Sequence, residues 1–226
     1  MTDPLRLVIF DVDGTLVDSQ HEIIACMSAA FSEQSLPAPD RKDVLSIVGL
    51  SLDQAMEVLA PGSTGEVRAR LADGYRTQFR TRRESGSASQ THLYPGCLEA
   101  LKSAFDVPHW LLGIATGKSR RGLNALLAAH ELQSHFVTTQ VADDHPSKPH
   151  PSMILTAMAE AGVEPEATVM VGDTVFDMEM AVSAGVPFIG VDWGYHPEES
   201  LTSSLEVLSD FGQLVPALNR LWSDPA

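Results

Sequence analysis

Cysteine, positive charge and long apolar runs are all scarce in this chain. There are two cysteines in 226 residues, Cys26 and Cys97, far apart and in no metal-type spacing. That excludes a disulfide framework and a thiolate metal site, and it predicts buried free thiols in a reducing compartment. Lys and Arg total 15 against 30 acidic residues, for a net charge of −15. A chain so acidic has no basic face for nonspecific nucleic-acid binding, so no nucleic-acid partner is expected. An anionic substrate would need a metal or a local cluster of donors. No apolar run is long enough to span a bilayer, and the N-terminus carries Asp3 rather than a basic segment before a long apolar one. The expectation is a cytoplasmic protein with no membrane partner, as a monomer or a homodimer. Internal repeats and low-complexity tracts are absent as well.

What is present is a core: 44% of the residues are hydrophobic, enough to exclude disorder in a chain of this length. The organising stretch is Leu7-Val8-Ile9-Phe10-Asp11-Val12-Asp13-Gly14-Thr15-Leu16. Four apolar residues read as a buried strand of a parallel sheet. The run stops at Asp11, and a second carboxylate follows two residues on. Residues i and i+2 of an extended chain point the same way, so both acids lean to one side of the strand's carboxyl end. Open α/β sheets bind their ligands there. Solvated acids at a strand end are the plainer reading. An EF-hand loop is disfavoured because Leu16 stands where that loop needs glycine, and a strand precedes it.

From residue 17 to 86 the pattern is helical, with Asp18 or Ser19 placed to cap the first helix. Ser85 to Thr91 is a small polar linker by composition. From residue 95 onward strand and helix alternate, which predicts a doubly wound, Rossmann-like parallel sheet with helices on both faces. The predicted organisation is an α/β core of residues 1–16 and 87–226 with an inserted α-helical domain of residues 17–86.

Three more clusters fall at predicted strand ends. Thr116-Gly117-Lys118 offers a hydroxyl and free amides that suit an anion, or a plain helix start. Lys148 stands just before Pro149 in Ser147-Lys148-Pro149-His150-Pro151, so it is placed by a stiff backbone, or it is an ordinary solvated lysine. Gly172-Asp173-Thr174-Val175-Phe176-Asp177 supplies two more acids, which either cap a helix or hold a hard cation such as Mg²⁺. Strand ends of one sheet converge, so together these groups supply a nucleophile, an acid/base, a cation site and donors for phosphoryl oxygens.

In these four motifs, in their order over residues 7–177, the chain resembles the haloacid dehalogenase superfamily. The resemblance implies that Asp11 attacks phosphorus and forms an aspartyl-phosphate, and that Asp13 protonates the leaving alcohol and then activates water. It implies that Thr116 and Lys148 hold the transferring phosphoryl group. It implies Mg²⁺ bound by Asp11, the Asp13 backbone carbonyl and Asp173, with Asp177 farther out. The helical insertion is similar to the cap of subfamily I. Dehalogenases lack the second aspartate, and phosphonoacetaldehyde hydrolases carry Ala at that place and use a cap lysine. Lys42 is the only lysine of this cap. Sugar-phosphate mutases share Asp13 and stay open as an alternative, as does a non-catalytic binding protein on the same fold. The nearest overall resemblance is to phosphoglycolate-phosphatase-like proteins, which implies a phosphoric monoester hydrolase acting on a small phosphorylated metabolite. Within the cap, Arg76, Arg80 and Arg83 share one helix face and suit a substrate anion or plain solvation. Gly49 is either the tight turn of a loop dipping into the site or a turn with no role. Gly117 and Lys118 complete the expected substrate contacts.

Overall fold

The structure, a computed structural model, describes residues 3–85 and 92–223, without the side chain of Arg83. The polar linker expected at 85–91 therefore lies, beyond Ser85, outside the described residues.

The core is a six-stranded sheet. Its strands are β1 (Arg6–Phe10), β4 (Trp110–Thr116), β5 (Phe136–Val141), β6 (Thr168–Gly172), β7 (Phe188–Val191) and β8 (Glu206–Leu208). Two strands of two residues each, β2 (Val17–Asp18) and β3 (His92–Leu93), pair antiparallel as a separate ribbon. The sheet order is β5-β4-β1-β6-β7-β8, and every neighbouring pair is parallel. From β1 the chain builds outward on one side through β4 and β5, then returns and builds on the other through β6 to β8. The carboxyl ends of β1, β4 and β6 thus border the point where strand order reverses, which is where such sheets open a crevice.

Alternation within β1 explains why its apolar run is continuous. Val8 and Phe10 face a core shared with α5 (Cys97–Phe105), α6 (Arg120–Ala129) and α9 (Leu214–Trp222). Leu7 and Ile9 face the opposite core, shared with α7 (Ser152–Ala161) and α8 (Val175–Ala184). A strand buried on both faces has no polar position to alternate with.

Between β2 and β3 lies a helical layer of α1 (Gln20–Glu33), α2 (Arg41–Ser46), α3 (Leu52–Leu59) and α4 (Gly65–Glu84). It has its own core, with Met27, Phe31, Val44, Met56 and Leu71 buried. Val48 lies in the turn after α2, although the pattern from 17 to 86 reads as helical. Ser19 precedes α1 but its hydroxyl does not cap the helix. It donates to Asp13 Oδ1 at 2.6 Å, and the first turn is instead met by Asp18, whose Oδ1 accepts from Gln20 N at 3.2 Å.

Candidate active site

The β1 ladder runs one residue past the strand: Asp11 N donates to Val171 O at 3.0 Å. Asp11 is therefore fixed by backbone against β6. Immediately after it the chain turns tightly, with the amides of Thr15, Leu16 and Val17 all donating to Val12 O. Gly14 makes this turn possible. Its φ is +90°, and a Cβ there would stand 2.2 Å from the Asp173 carboxylate.

The loop separates its two acids. Asp11 is buried and meets Lys148, whose Nζ lies 2.9 Å from Asp11 Oδ1 and 2.6 Å from Asp177 Oδ1. Asp13 turns to another partner: Lys118 Nζ donates to both its oxygens, at 2.7 and 2.8 Å, and Ser19 Oγ donates to Oδ1. The sequence reading expected Asp13 to meet the cation through its backbone carbonyl alone, which leaves its carboxylate for other partners. Asp11, Asp173 and Asp177 form a buried cluster with ligand oxygens within 4.8 Å of one another, and the Asp13 carboxylate is not in it. Three hydrogen bonds from two donors, Lys118 Nζ and Ser19 Oγ, hold it elsewhere.

Asp177 is already engaged. Its Oδ2 accepts from Thr174 N and Thr174 Oγ1, closing a capping box at the start of α8, while its Oδ1 takes Lys148. So Thr174, not Asp173, caps that helix. Asp173 accepts from Thr15 Oγ1 at 2.8 Å and from Tyr195 N at 2.9 Å. Gly194 presses close, since a Cβ there would stand 2.1 Å from Asp173.

The electrostatics are unbalanced. Burial pushes Asp11 up to about 6, with Lys148 opposing and Asp177 adding. Burial and then Asp177 and Asp11 hold Asp173 well above the carboxylate range. Burial lowers the Lys148 ammonium, but Asp11 and Asp177 outweigh it and keep the group above its ordinary value. Asp11 Oδ1 is close to Lys148 without the alignment of a hydrogen bond, and has no hydrogen-bond partner. A buried, unmatched oxygen, three converging carboxylates and an all-oxygen donor set fit a hard divalent cation.

Thr116, buried at the end of β4, lies with Gly117, Lys118, Asp11 and Asp13 on one wall of a cavity of about 650 Å³. The helical layer forms the other wall and brings Gly49, Arg76 and Arg80 to it. Gly49 has φ +105°, and a Cβ there would crowd Thr174 Oγ1 at 3.2 Å and Phe176 at 3.3 Å. Gly117 faces backbone: a Cβ would meet Gly49 O at 2.7 Å and Leu50 O at 2.9 Å. Ser51 N donates to Ser147 Oγ at 2.7 Å, and the His196 ring bridges Ser46 O and Val175 N. The loop is seated on the sheet edge. Arg76 is paired with Asp73 at 3.0 Å and Asp53 at 3.6 Å. Arg80 has no ion pair or hydrogen bond among the described residues. The side chain of Arg83, the third arginine expected on this face, lies outside the described residues.

The sequence reading missed the segment after β7. Tyr195 gives its amide to Asp173 and its hydroxyl to Ser19, whose own amide donates back to that hydroxyl at 3.0 Å. Trp193 Nε1 donates to Thr15 O. The available signal was positional: Trp193-Gly194-Tyr195 follows a fifth strand end at the same sheet edge.

Comparison with known proteins gives the same assignment. A Dickeya dadantii protein named as a probable phosphatase, IndB, is 35% identical over 220 residues, covering 95% of this chain and 94% of its own. A phosphoglycolate phosphatase of Salmonella choleraesuis is 30% identical over 241 residues, covering 97% and 95%. Among solved structures, a Pseudomonas syringae hydrolase superposes with a TM-score of 0.83 at 24% identity, covering 96% and 99% of the two chains. The family model for haloacid dehalogenase-like hydrolases matches residues 8–191, and the chain belongs to that family.

Proposed function

We propose that the protein is a Mg²⁺-dependent phosphatase that hydrolyses a small phosphomonoester through an aspartyl-phosphate on Asp11. The observation that carries the reading is the division of labour between two acids of one loop. Asp11 is buried beside Lys148 and the carboxylate cluster, while Asp13 stands apart with Lys118 and Ser19. Two carboxylates in different surroundings suit a nucleophile and an acid/base. The relatives named as phosphatases support it.

An Asp11 oxygen attacks phosphorus while the ester P–O bond breaks. The departing alkoxide takes the proton of the Asp13 carboxylic acid. In the second half Asp13, now ionised, accepts a proton from water. That water attacks the same phosphorus, and the bond to Asp11 breaks to release inorganic phosphate. Lys118 and Ser19 hold the Asp13 carboxylate in position through its two oxygens. The first half requires Lys118 to turn from Asp13 toward the incoming phosphate, which lies against its neighbours Thr116 and Gly117. Lys148 steadies the Asp11 carboxylate and shares the phosphoryl charge. Asp11 and Asp173 are the direct metal ligands, with the Asp13 carbonyl; Asp177, its oxygens filled by Thr174 and Lys148, orients the site from behind. Mg²⁺ bound there supplies charge against the phosphoryl oxygens.

Residues 17–86 act as the cap that encloses the substrate over the α/β core. The protein is cytoplasmic: its two thiols are free and buried, pushed up to about 12 by burial, as suits a reducing compartment. Among the described residues no helix is long and apolar enough to cross a membrane. The test is release of inorganic phosphate from phosphorylated metabolites with Mg²⁺, with sugar phosphates checked for isomerised product. Release without isomerisation supports the phosphatase; isomerisation in its place would make the protein a mutase.

A further inference from the structure

The cavity above Asp11 and Asp13 is larger and more apolar than a phosphorylated two-carbon acid needs. It holds about 650 Å³ with the 46–51 loop already seated on the sheet edge. That is the size of a pocket for a drug-sized ligand. Its upper wall is built from two rows. Tyr75 and Phe79 stand at i and i+4 of α4, with ring centroids 5.0 Å apart and planes tilted by 53°. Ile23 and Met27 extend that apolar surface from α1. One residue on, Arg76 and Arg80 stand at i and i+4 of the same helix. Arg76 is largely neutralised by Asp73 and Asp53, which leaves Arg80 as the unpaired cation among the described residues of that wall.

The order of groups gives the orientation. Phosphate lies with Asp11, Thr116 and Lys148, and the leaving oxygen lies at Asp13. Tyr75 and Phe79 line the same cavity as that acid. Whatever is bonded to the leaving oxygen therefore extends into a space that both rings border. A small hydroxy acid would leave these rings facing water. A flat ring would cover them, and aromatic side chains gain most from another ring face. Arg80 would then pair with a carbonyl oxygen or an anion at the ring's far edge.

We infer that the substrate is a phosphomonoester whose alcohol carries a flat heteroaromatic ring, of nucleoside 5′-monophosphate size, seated on Tyr75 and Phe79. This rests on the phosphatase reading. The geometry assigns Phe79 as the specificity residue.

The experiment compares two sets of substrates on the Mg²⁺-loaded full chain. Uridine 5′-monophosphate, adenosine 5′-monophosphate and pyridoxal 5′-phosphate carry rings. Ribose 5-phosphate, glycerol 3-phosphate and 2-phosphoglycolate do not. At least one ring-bearing substrate should exceed all three ring-free ones in kcat/KM, by roughly 5- to 100-fold, the range seen for removal of one stacking partner. Phe79→Ala should lower that ratio by a similar factor, and Phe79→Tyr should keep it. A ring-free substrate at the head of the series would overturn the inference, as would an equal loss on every substrate in Phe79→Ala. If none of these esters, nor p-nitrophenyl phosphate, were hydrolysed, the phosphatase reading would fail by itself. Calorimetric titration of the same six ligands still reads the ring preference, and equal affinities in the two sets would sink it.

Discussion

Asp11 is held in a place that disfavours its charge. With a folded-state value of about 6 against 3.8 in the unfolded chain, the folded protein binds more protons between those limits. Stability from this group therefore falls as pH rises from about 4 to 6 and stays low above that. Asp173 shifts in the same direction. In chelator, melting temperature should rise on acidification from pH 7 to 5 relative to the Asp11→Asn protein, and differential scanning calorimetry reads the difference. Asp11→Asn should be the more stable protein at pH 7 without metal, by about 1–3 kcal/mol for a shift of this size, yet inactive. Near-normal kcat in Asp11→Asn would refute the covalent mechanism. Asp13 makes a different prediction. An alkoxide needs a proton to leave and p-nitrophenolate does not. Asp13→Asn should slow single-turnover cleavage of an alkyl phosphate by ~10²–10⁴-fold and spare p-nitrophenyl phosphate by comparison. The phosphorylated enzyme should then accumulate and give a burst of p-nitrophenol. Equal slowing for both leaving groups would remove Asp13 from the acid role.

At the scale of elements, the joint that matters is the 46–51 loop on the end of β4. Gly117 meets the carbonyls of Gly49 and Leu50, and backbone cannot step aside as a side chain tip can. Gly117→Ala should push the loop off the sheet edge and cost ~10²-fold in kcat/KM, the scale expected when reacting groups are misplaced by about 1 Å. The melting temperature should barely move; a large drop would mean that the contact is structural instead. The strands and helices from residue 110 on were legible in the sequence because each buried run ends abruptly at a polar strand terminus. Asp11 and Asp173 stood out for the same reason, and Lys148 only through the prolines that follow it. The β2–β3 ribbon was not, since two residues per strand carry no period. Ser19 looked like a helix cap because caps and acid-binding hydroxyls share a composition, and only the fold shows Asp13 within reach. Tyr195 escaped because it serves Asp173 through its backbone amide, which every residue type except proline offers. The separation of Asp13 from the carboxylate cluster depends on Lys118, and an i, i+2 pattern cannot foretell which long side chain arrives.

For the whole molecule, the proposed divalent cation should add to stability, since it would offset buried acids in a chain of net charge −15. Activity should vanish in EDTA and return with Mg²⁺. Melting temperature should rise with added Mg²⁺, corresponding to about 2.7 kcal/mol at a hundredfold excess over Kd. Ca²⁺ should also raise it while supporting little turnover, because its looser shell misplaces nucleophile and phosphate. Full activity in chelator would remove the metal from the mechanism. The chain leaves for the helical layer at Val17–Asp18 and comes back at His92–Leu93, and these two passages pair with each other, Val17 to Leu93 and Asp18 to His92. In a gene, that makes everything between them a cassette with adjacent ends. Recombination at two neighbouring points could exchange the whole helical wall of the cavity, Tyr75 and Phe79 included, without altering one strand of the six-stranded sheet. A lineage built this way could acquire new substrates by exchanging one insert while inheriting its reaction unchanged.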